Sequence, residues 1–364
     1  MSATPAIFEL FDRLLARGGS DLHLAAHYPP MLRIKGDLVP DGETALSPDA
    51  VAALIDPLLN PNQRGLFAAN GDLDFAYTYG AKARFRGNYL RKVTGVGAVF
   101  RTIPTKILSL DQLGVPAGIR KLTDMRAGLV LVTGPTGSGK STTLAAMIDH
   151  INSTRAGHIL TIEDPVEFVH QSKKCLITHK EVGEHVPSFL EAIRSAGREN
   201  ADVILVGELR GAETMKYALQ LASFGILIFA TVHTNSAAAT IDRFVNAFPA
   251  EQQPQIRGLL ADSLVGVVAQ QLLKRADGSG RVAAHEILLG NFALASLIRE
   301  GKTSQIGSFI QSGISDGMQS MDAALDKFVR DGAISAHDAL EKALDKESFS
   351  KLPHIAKELA GVEV

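Results

Sequence analysis

Residues 134–141 read Gly134-Pro135-Thr136-Gly137-Ser138-Gly139-Lys140-Ser141, a run that fits the pattern G-x-x-x-x-G-K-[ST]. The apolar residues 129–133 before it have the character of a strand, and residues 142–151 after it have that of a helix. Such a turn lets backbone N–H groups and the positive end of the helix converge on a phosphate. A chance match would not carry both flanks, so the stretch predicts a phosphate-binding loop within an α/β domain.

Within this loop, residues 134–142 are expected to bind a nucleotide. Lys140 would reach the β- and γ-phosphates, and the Ser141 hydroxyl would hold Mg²⁺. Thr142 lies in the first turn of the helix whose amino end faces the phosphates. ATP and Mg²⁺ are therefore the predicted cofactors.

Three further apolar runs end in polar side chains. Residues 159–162 lead to Glu163-Asp164, residues 203–206 to Gly207-Glu208, and residues 226–232 to His233. Because the carboxyl ends of parallel strands share one edge of a sheet, these side chains are expected beside the phosphate-binding loop.

These three residues suit the hydrolysis of a phosphoanhydride. Glu163 would orient or deprotonate the attacking water, and Glu208 would hold Mg²⁺ and its waters. Without the phosphate-binding loop, either glutamate would be interpreted as a solvent-exposed residue at the end of a strand. Because both occur together with that loop, a catalytic role is favoured. For His233, a sensor of the γ-phosphate and a satisfied core histidine are evenly weighted alternatives.

Residues 1–105 are expected to form a small α+β domain. Amphipathic spacing in residues 1–17 predicts a first helix with Thr4 as its N-cap, and strand-like runs occupy Met31–Ile34 and residues 74–79. Four arginines lie near the end of this domain: Arg84, Arg86, Arg91 and Arg101. They indicate either a solvated strand face or cations that complete a nucleotide site in another domain or subunit.

Beyond a connector at residues 106–125, with a short helix at 111–122, apolar runs alternate with helices over residues 126–290. Buried runs of strand length indicate a parallel sheet in an α/β domain. From about residue 249 the pattern is helical, and residues 291–364 are expected to form a helical C-terminal region. Helices are predicted at residues 253–273, 291–300, 318–330 and 336–344.

The composition limits the compartment and the partners. With 37 basic and 39 acidic residues the net charge is −2, which argues against bulk attraction to nucleic acid or an anionic membrane. Cys175 is the single cysteine, so no disulfide forms within the chain and a reducing compartment fits. Residues 1–17 lack the order of a signal peptide, and polar residues interrupt the uncharged run at 217–241. A cytoplasmic protein without membrane insertion is expected.

Almost the whole chain, to about residue 344, resembles the PilT-type retraction ATPases of type IV pili, within the secretion-ATPase superfamily. The similar segments are residues 18–24, 33–38, 84–88, 100–104, 161–167, 202–210, 231–235 and 317–322. The resemblance implies a PAS-like domain at residues 1–105 and a RecA-like domain at 126–290. It also implies a cytoplasmic hexamer that hydrolyses ATP to retract a pilus in twitching motility. The implied partner is the inner-membrane platform protein of the pilus machine, with a paralogous pilus ATPase as a further candidate.

The resemblance also assigns roles to residues. Glu163 is implied as general base and Glu208 as the acid of the Walker B segment, while Arg86 and Arg101 become candidates for contacts to the γ-phosphate. Some positions depart from the family pattern. Ile226 stands where a second histidine is usual, and Ala295 stands where the motif tied to retraction has an arginine.

These departures leave two alternatives to an autonomous motor. The chain could be an accessory nucleotide-binding subunit in a ring of active homologues, or a related assembly or secretion ATPase. The assembly enzymes typically carry a four-cysteine zinc site, which a chain with one cysteine cannot form.

Overall fold

The computed structural model describes residues 6–80, 82–103 and 105–361, which divide into two compact units. The N-terminal unit contains the described residues up to Lys106 together with Pro165–Val169, and the second unit contains Ile107–Asp164 and the residues from His170 onward. Thr4, the predicted N-cap, lies outside the described residues. The short return of residues 165–169 to the N-terminal unit has no signal in the sequence pattern.

The N-terminal unit is an antiparallel sheet with helices. Its elements are α1 (Ala6–Ala16), β1 (Asp21–Ala25), β2 (Met31–Ile34), β3 (Asp37–Pro40), α2 (Pro48–Ile55), α3 (Pro61–Asn70), β4 (Asp72–Tyr79), β5 (Ala83–Lys92) and β6 (Gly95–Ile103). Within the described residues the six strands pair in the order β3-β2-β1-β6-β5-β4. The predicted strand at 31–34 is confirmed, and the one predicted at 74–79 starts two residues earlier.

An aromatic cluster fills the core of this unit. The ring of Phe11 on α1 stacks on Phe85 at 4.1 Å and meets the edge of Phe100 at 5.2 Å. Gly87 on β5 leaves room for this packing, because a Cβ atom there would lie 2.8 Å from the ring of Phe75 and 3.0 Å from that of Phe100. The glycine next to Arg86 therefore has a packing role.

The second unit has a longer list of elements. They are α4 (Ala117–Asp124), β7 (Gly128–Thr133), α5 (Lys140–Thr154), β8 (Gly157–Glu163), β9 (Cys175–Glu181), α6 (Phe189–Ala196), β10 (Val203–Val206), α7 (Ala212–Ser223), β11 (Leu227–Val232), α8 (Ala237–Asn246), α9 (Gln253–Ser263), β12 (Leu264–Lys274), β13 (Arg281–Leu289), α10 (Phe292–Arg299), α11 (Ile306–Ser312), α12 (Met321–Arg330), α13 (Ala336–Lys342), α14 (Lys346–Ser350) and α15 (Pro353–Ala360).

One sheet with helices on both faces organises this unit. Among the described residues its strands follow the order β13-β12-β7-β11-β10-β8-β9, and all neighbours are parallel except β12 and β13. Val130 and Val132 of β7 pack with α4 and α5, while Leu129 and Leu131 pack with helices of the other face. Burial on both faces explains why the central strands are continuous apolar runs, as predicted.

The helix predicted at residues 253–273 is wrong in its second half. The helix α9 ends at Ser263, and the chain continues directly as β12, which pairs with β7 on one side and β13 on the other. Because β12 is buried on both faces, its side chains show no alternation between polar and apolar. Periodicity cannot distinguish such a run from a buried helix.

The connector helix also begins later than predicted. Instead of covering residues 111–122 it spans Ala117–Asp124, with Pro116 as its N-cap. Ser109 and Gln112 bond each other's backbone at 2.9 and 3.1 Å and form a turn ahead of it. A proline disfavours helical backbone in the residue before it, so the helix cannot extend toward residue 111.

The C-terminal helices are close to their predicted positions. The helices α10, α12 and α13 fall inside the ranges predicted at 291–300, 318–330 and 336–344. The helix α12 starts at Met321 because the Ser320 hydroxyl caps it by accepting from the backbone N–H of Ala323 at 3.2 Å. None of the helices in the described ranges has both the length and the apolar character that a membrane crossing needs.

We expect Gly87→Ala to destabilise the N-terminal unit by about 1–3 kcal/mol, since the new methyl group overpacks the aromatic core. Gly65→Ala is the matched control, because a Cβ there meets no atom within 4 Å and Gly65 lies inside helix α3. This control should stabilise by about 0.5–1 kcal/mol. Urea unfolding of both variants checks the prediction, and equal midpoints would contradict it.

Candidate active site

The loop between β7 and α5 has a backbone that requires glycine. Gly137 and Gly139 have φ angles of 79° and 86°, in the left-handed region. At Gly134 a Cβ atom would lie 2.3 Å from the carbonyl oxygen of Gln270 and 2.6 Å from Ser138 Oγ. Any side chain at residue 134 would therefore push the loop away from β12.

The loop has the features of an anion site. Lys140 is buried, and its ammonium donates to the carbonyl oxygens of Gly134 at 2.9 Å and Pro135 at 3.0 Å. The 15-residue helix α5 begins at Lys140, and no side chain of the described residues caps its amino end. Ser138 Oγ is buried and has no hydrogen-bond partner within the described part of the chain. A phosphate would satisfy this hydroxyl and the uncapped N–H groups.

The predicted site residues lie along one edge of the sheet. The parallel strands β7, β11, β10 and β8 lie side by side in that order, so their carboxyl ends carry Gly134, His233, Glu208 and Glu163 in sequence along the edge. With a spacing of about 4.8 Å between strands, the backbone at Glu163 lies roughly 14 Å from the loop strand. Glu163 is thus the residue of this set farthest from the loop.

Glu208 and His233 meet directly. Glu208 Oε1 accepts from Arg210 Nε at 2.7 Å and lies 3.4 Å from His233 Nε2. Burial alone would raise the pKa of Glu208, but the hydrogen bond and charge of Arg210, helped by His233, outweigh it and lower that pKa. Glu208 is therefore a carboxylate at neutral pH, as a ligand of Mg²⁺ or its waters must be.

A cavity of about 490 Å³ opens beside this pair. Glu208, Arg210 and His233 line it together with Arg243 and Asn246 of α8. The cavity provides room for a charged group next to the carboxylate and the imidazole.

The loop that carries His233 is tied to the strand that carries the phosphate-binding loop. Thr133 Oγ1 lies 2.7 Å from the carbonyl oxygen and the hydroxyl of Thr234, and the Thr234 hydroxyl lies 2.6 Å from that of Thr240 on α8. These contacts connect the ends of β7 and β11 through side chains as well as through the sheet. The sequence reasoning did not identify these threonines.

Glu286 is a second residue that the sequence reasoning missed. It is buried on β13, and its Oε1 accepts from the backbone N–H of Ala237 at the start of α8, 2.7 Å away. Burial raises its pKa, against hydrogen bonds from the N–H groups of Ala237 and Met321. A lone glutamate in the apolar run of β13 was the available signal, because such a charge needs a partner.

Arg86 and Arg101 lie in the N-terminal unit, directly opposite each other on β5 and β6. Arg101 donates to the buried Asp21 at 2.8 Å, while Arg86 Nη2 lies 3.6 Å from Asp74 Oδ2. The Arg101 side chain is 71% exposed. Both guanidinium groups are thus held on an exposed strand face, and their contact with a nucleotide stays a prediction.

The two marked departures from the family pattern lie away from the loop edge. Ile226 directly precedes β11, at the opposite end of that strand from His233 and roughly 20 Å away. Ala295 is partly buried on α10 and packs against the apolar core of the second unit. Arg299 on the same helix pairs with Asp262 of α9. Within this unit, neither change removes a side chain from the edge that carries Glu208 and His233.

The residues present fit a magnesium ion. Ser141 in the first turn of α5 offers a hydroxyl, and Glu208 offers an ionised carboxylate, which are the oxygen ligands that Mg²⁺ prefers. No group of three or more His, Cys, Asp or Glu side chains in the described ranges could hold a metal. Mg²⁺ bound to one or two protein groups plus substrate phosphates matches this pattern.

A parallel sheet with a phosphate-binding loop after one strand, and two carboxylates and a histidine along the same edge, defines a RecA-like P-loop nucleotide-binding domain. The family model for type II/IV secretion system proteins matches residues 69–335. The chain is 50% identical to the type IV pilus retraction ATPase PilT of Pseudomonas aeruginosa, covering 94% of this chain and 99% of that protein. It therefore belongs to the type II/IV secretion system protein family and, within it, to the PilT-type retraction ATPases.

Two other relatives place the chain within this family. It is 39% identical to the type IV pilus ATPase PilU of the same organism, over 92% of this chain and 88% of that protein. A crystal structure of the pilus retraction motor PilT with bound ADP superposes with a TM-score of 0.88 at 40% identity, covering 95% of this chain and 98% of that one. The fold class is therefore confirmed, with an N-terminal domain followed by a RecA-like domain.

Arg210→Gln should raise the pKa of Glu208, because the variant removes the positive charge and the hydrogen bond that keep it low. Glu208 would then lose its charge at a higher pH, so the acid limb of the pH profile of nucleotide turnover should move to higher pH. Arg243→Gln is the control, since Arg243 lines the same cavity and has no described ion pair with Glu208. A limb that stays in place in Arg210→Gln, or moves equally in both variants, would contradict the assignment.

Proposed function

We propose that this protein is a cytoplasmic ATPase that converts ATP hydrolysis into the retraction of a type IV pilus. The observation that carries the proposal is the shared edge of the sheet, where the phosphate-binding loop, Glu163, Glu208 and His233 occupy the ends of four neighbouring parallel strands. The 50% identity to a retraction ATPase over nearly the full length of both chains supports the mechanical task.

In this proposal each residue has one task in phosphoryl transfer to water. Lys140 and the loop N–H groups stabilise charge on the β- and γ-phosphates, and Glu163 orients and deprotonates the attacking water. Ser141 and Glu208 would hold Mg²⁺, which when bound would supply positive charge beside the phosphate oxygens. His233 bonds the γ-phosphate and loses that contact after hydrolysis.

We further propose that six copies form a ring and that Arg86 and Arg101 contact the γ-phosphate from a PAS-like domain of residues 1–105. Residues 106–125 would link it to a RecA-like core at 126–290, followed by the C-terminal helical region at 291–364. An arginine that acts on a transferring phosphoryl group contributes about 10³–10⁵ in rate, enough to make hydrolysis depend on domain position. The ring would act on the inner-membrane platform protein of the pilus machine, from the cytoplasmic face.

An accessory role remains the second candidate, because Ala295 removes a guanidinium group from the segment that the resemblance ties to retraction. Against it, the chain is more similar to PilT than to PilU of the same organism, 50% against 39%. Ile226 also directly precedes β11, at the opposite end of that strand from His233. The absence of a histidine at residue 226 therefore leaves the edge of the sheet that carries the phosphate-binding loop unchanged.

Steady-state phosphate release with Mg-ATP tests the proposal. The purified protein should turn over ATP as a particle of hexamer mass. Lys140→Ala and Glu208→Ala should lose most turnover while keeping the folded secondary structure, since both act on phosphate charge at the edge of the sheet. Light scattering gives the mass, and a phosphate-binding dye assay gives the rate.

The alternatives make different predictions in this assay. Binding of nucleotide without turnover in the wild-type protein would favour the accessory subunit, and mixing with an active homologue should then restore hydrolysis. Full turnover in Glu208→Ala would refute the role of Glu208.

Arg101→Ala tests the proposed contribution of the N-terminal domain. We expect turnover to fall by about 10³-fold, the lower end of what such an arginine contributes, without unfolding of the RecA-like domain. Arg91→Ala is the control on the same sheet, because Arg91 lies over the ring of Phe67 and has no proposed contact with nucleotide. Wild-type rates in Arg101→Ala would exclude the cross-domain contact.

A further inference from the structure

The Gln270 side chain joins the phosphate-binding loop to the helix after it. Its Nε2 donates to the carbonyl oxygen of Ser138 at 2.7 Å, and its Oε1 accepts from the hydroxyl of Thr143 on α5 at 2.8 Å. Gln270 and Thr143 are each at most 3% exposed. Both bonds are therefore shielded from water, which makes the loss of either partner costly.

Strand geometry directs this side chain to the loop. Successive side chains of a strand point to opposite faces, so Gln270 faces α5 while Gln271 faces the other layer of helices. Directly opposite Gln270 on β13 lies His285, which is buried. Burial lowers the pKa of His285 to about 4, so this neighbour is uncharged at neutral pH and brings no competing charge to the amide.

The bond to Ser138 sets the orientation of one peptide group of the loop. In a trans peptide the carbonyl of Ser138 and the N–H of Gly139 point in opposite directions. Because Gln270 holds the carbonyl toward β12, the N–H of Gly139 must point away from the strand. Gly139 has a φ angle of 86° and no Cβ, so no side chain of its own opposes rotation of this peptide group.

The bond to Thr143 holds the other end of the Gln270 amide. The Thr143 hydroxyl is donor to Oε1, which leaves the NH₂ group of Gln270 facing Ser138. A rotated amide would place its oxygen against the Ser138 carbonyl and lose that bond, whereas the Thr143 hydroxyl could still accept from the NH₂ group. The Thr143 hydroxyl bonds Gln270 and not the loop. Thr143 therefore acts on the loop through Gln270.

We propose that Gln270 is a positioning residue that holds the Ser138–Gly139 peptide group with its N–H directed to the bound phosphates, with Thr143 fixing the Gln270 amide. This inference rests on the proposed nucleotide site and adds a determinant of its affinity. Without the hydrogen bond from Gln270 to Ser138, the Ser138–Gly139 peptide group can rotate. A carbonyl oxygen that repels phosphate would then replace the N–H donor.

ADP affinity and ATP turnover of four variants test this inference in the full-length protein. Gln270→Met keeps an unbranched side chain of similar length and removes both bonds, and Thr143→Val keeps the shape and removes the donor. We expect the Kd for ADP, measured by calorimetry, to rise by about tenfold to a hundredfold in both variants. Thr143→Ser retains the hydroxyl and should keep wild-type affinity. Gln271→Met, on the opposite face of the same strand, is the control for a general effect of altering β12.

The double variant and the kinetic constants distinguish positioning from folding. Since Thr143 acts through Gln270, Gln270→Met combined with Thr143→Val should bind ADP as Gln270→Met does, without an additive loss. The KM for ATP should rise in Gln270→Met while circular dichroism shows the variant folded at the assay temperature, even though its unpaired buried groups lower the thermal unfolding midpoint.

Wild-type ADP affinity in Gln270→Met, or an equal loss in Gln271→Met, would overturn the inference. Additive losses in the double variant would show that Thr143 acts independently of Gln270 and would overturn the coupling. ADP binding is measured without hydrolysis, so a wild-type protein that binds ADP but has no turnover would contradict the proposed ATPase activity and leave the test of Gln270 intact. Lys140→Ala is the reference variant, since its Kd for ADP shows the affinity of a phosphate-binding loop that lacks its lysine.

Discussion

The parallel pairing of β7 with β11 on one side and β12 on the other fixes where the phosphate-binding loop lies. Hydrogen bonds of the sheet bring the carboxyl end of β7 close to the level of those of β11, β10 and β8, so the proposed site residues share one edge without long loops. The close contact between Gly134 and the carbonyl oxygen of Gln270 shows how tightly the loop fits against β12. Backbone pairing of the strands therefore determines where the residues of this edge lie.

Hydrogen bonds of buried polar side chains hold the segments that follow the strands at this edge. The hydroxyl contact of Thr133 with Thr234 joins two strand ends, and Glu286 holds the start of α8. Each of these groups would be costly to bury without its partner, so together they favour a single arrangement of the loops. The pair of the partly buried Glu208 with the exposed Arg210 contributes differently, since its main effect is on the charge state of a proposed catalytic acid.

The N-terminal unit likewise combines a packed core with exposed charged side chains. Its aromatic core and Gly87 shape the sheet, while Asp21, almost fully buried, anchors the exposed Arg101. An arginine held by a buried carboxylate is restrained but keeps most of its surface available to another group. This arrangement is compatible with the role proposed for Arg101.

By itself the sequence determined the phosphate-binding loop, the central parallel strands, Glu208 and His233 at strand ends, and the family. These features depend on local patterns: glycine spacing, apolar runs and the polar residue that follows each run. Only the tertiary structure decided that residues 264–274 form a strand and that Gln270 faces the loop. A strand buried on both faces has no periodic signal, and the partners of Gln270 are more than a hundred residues away in the chain.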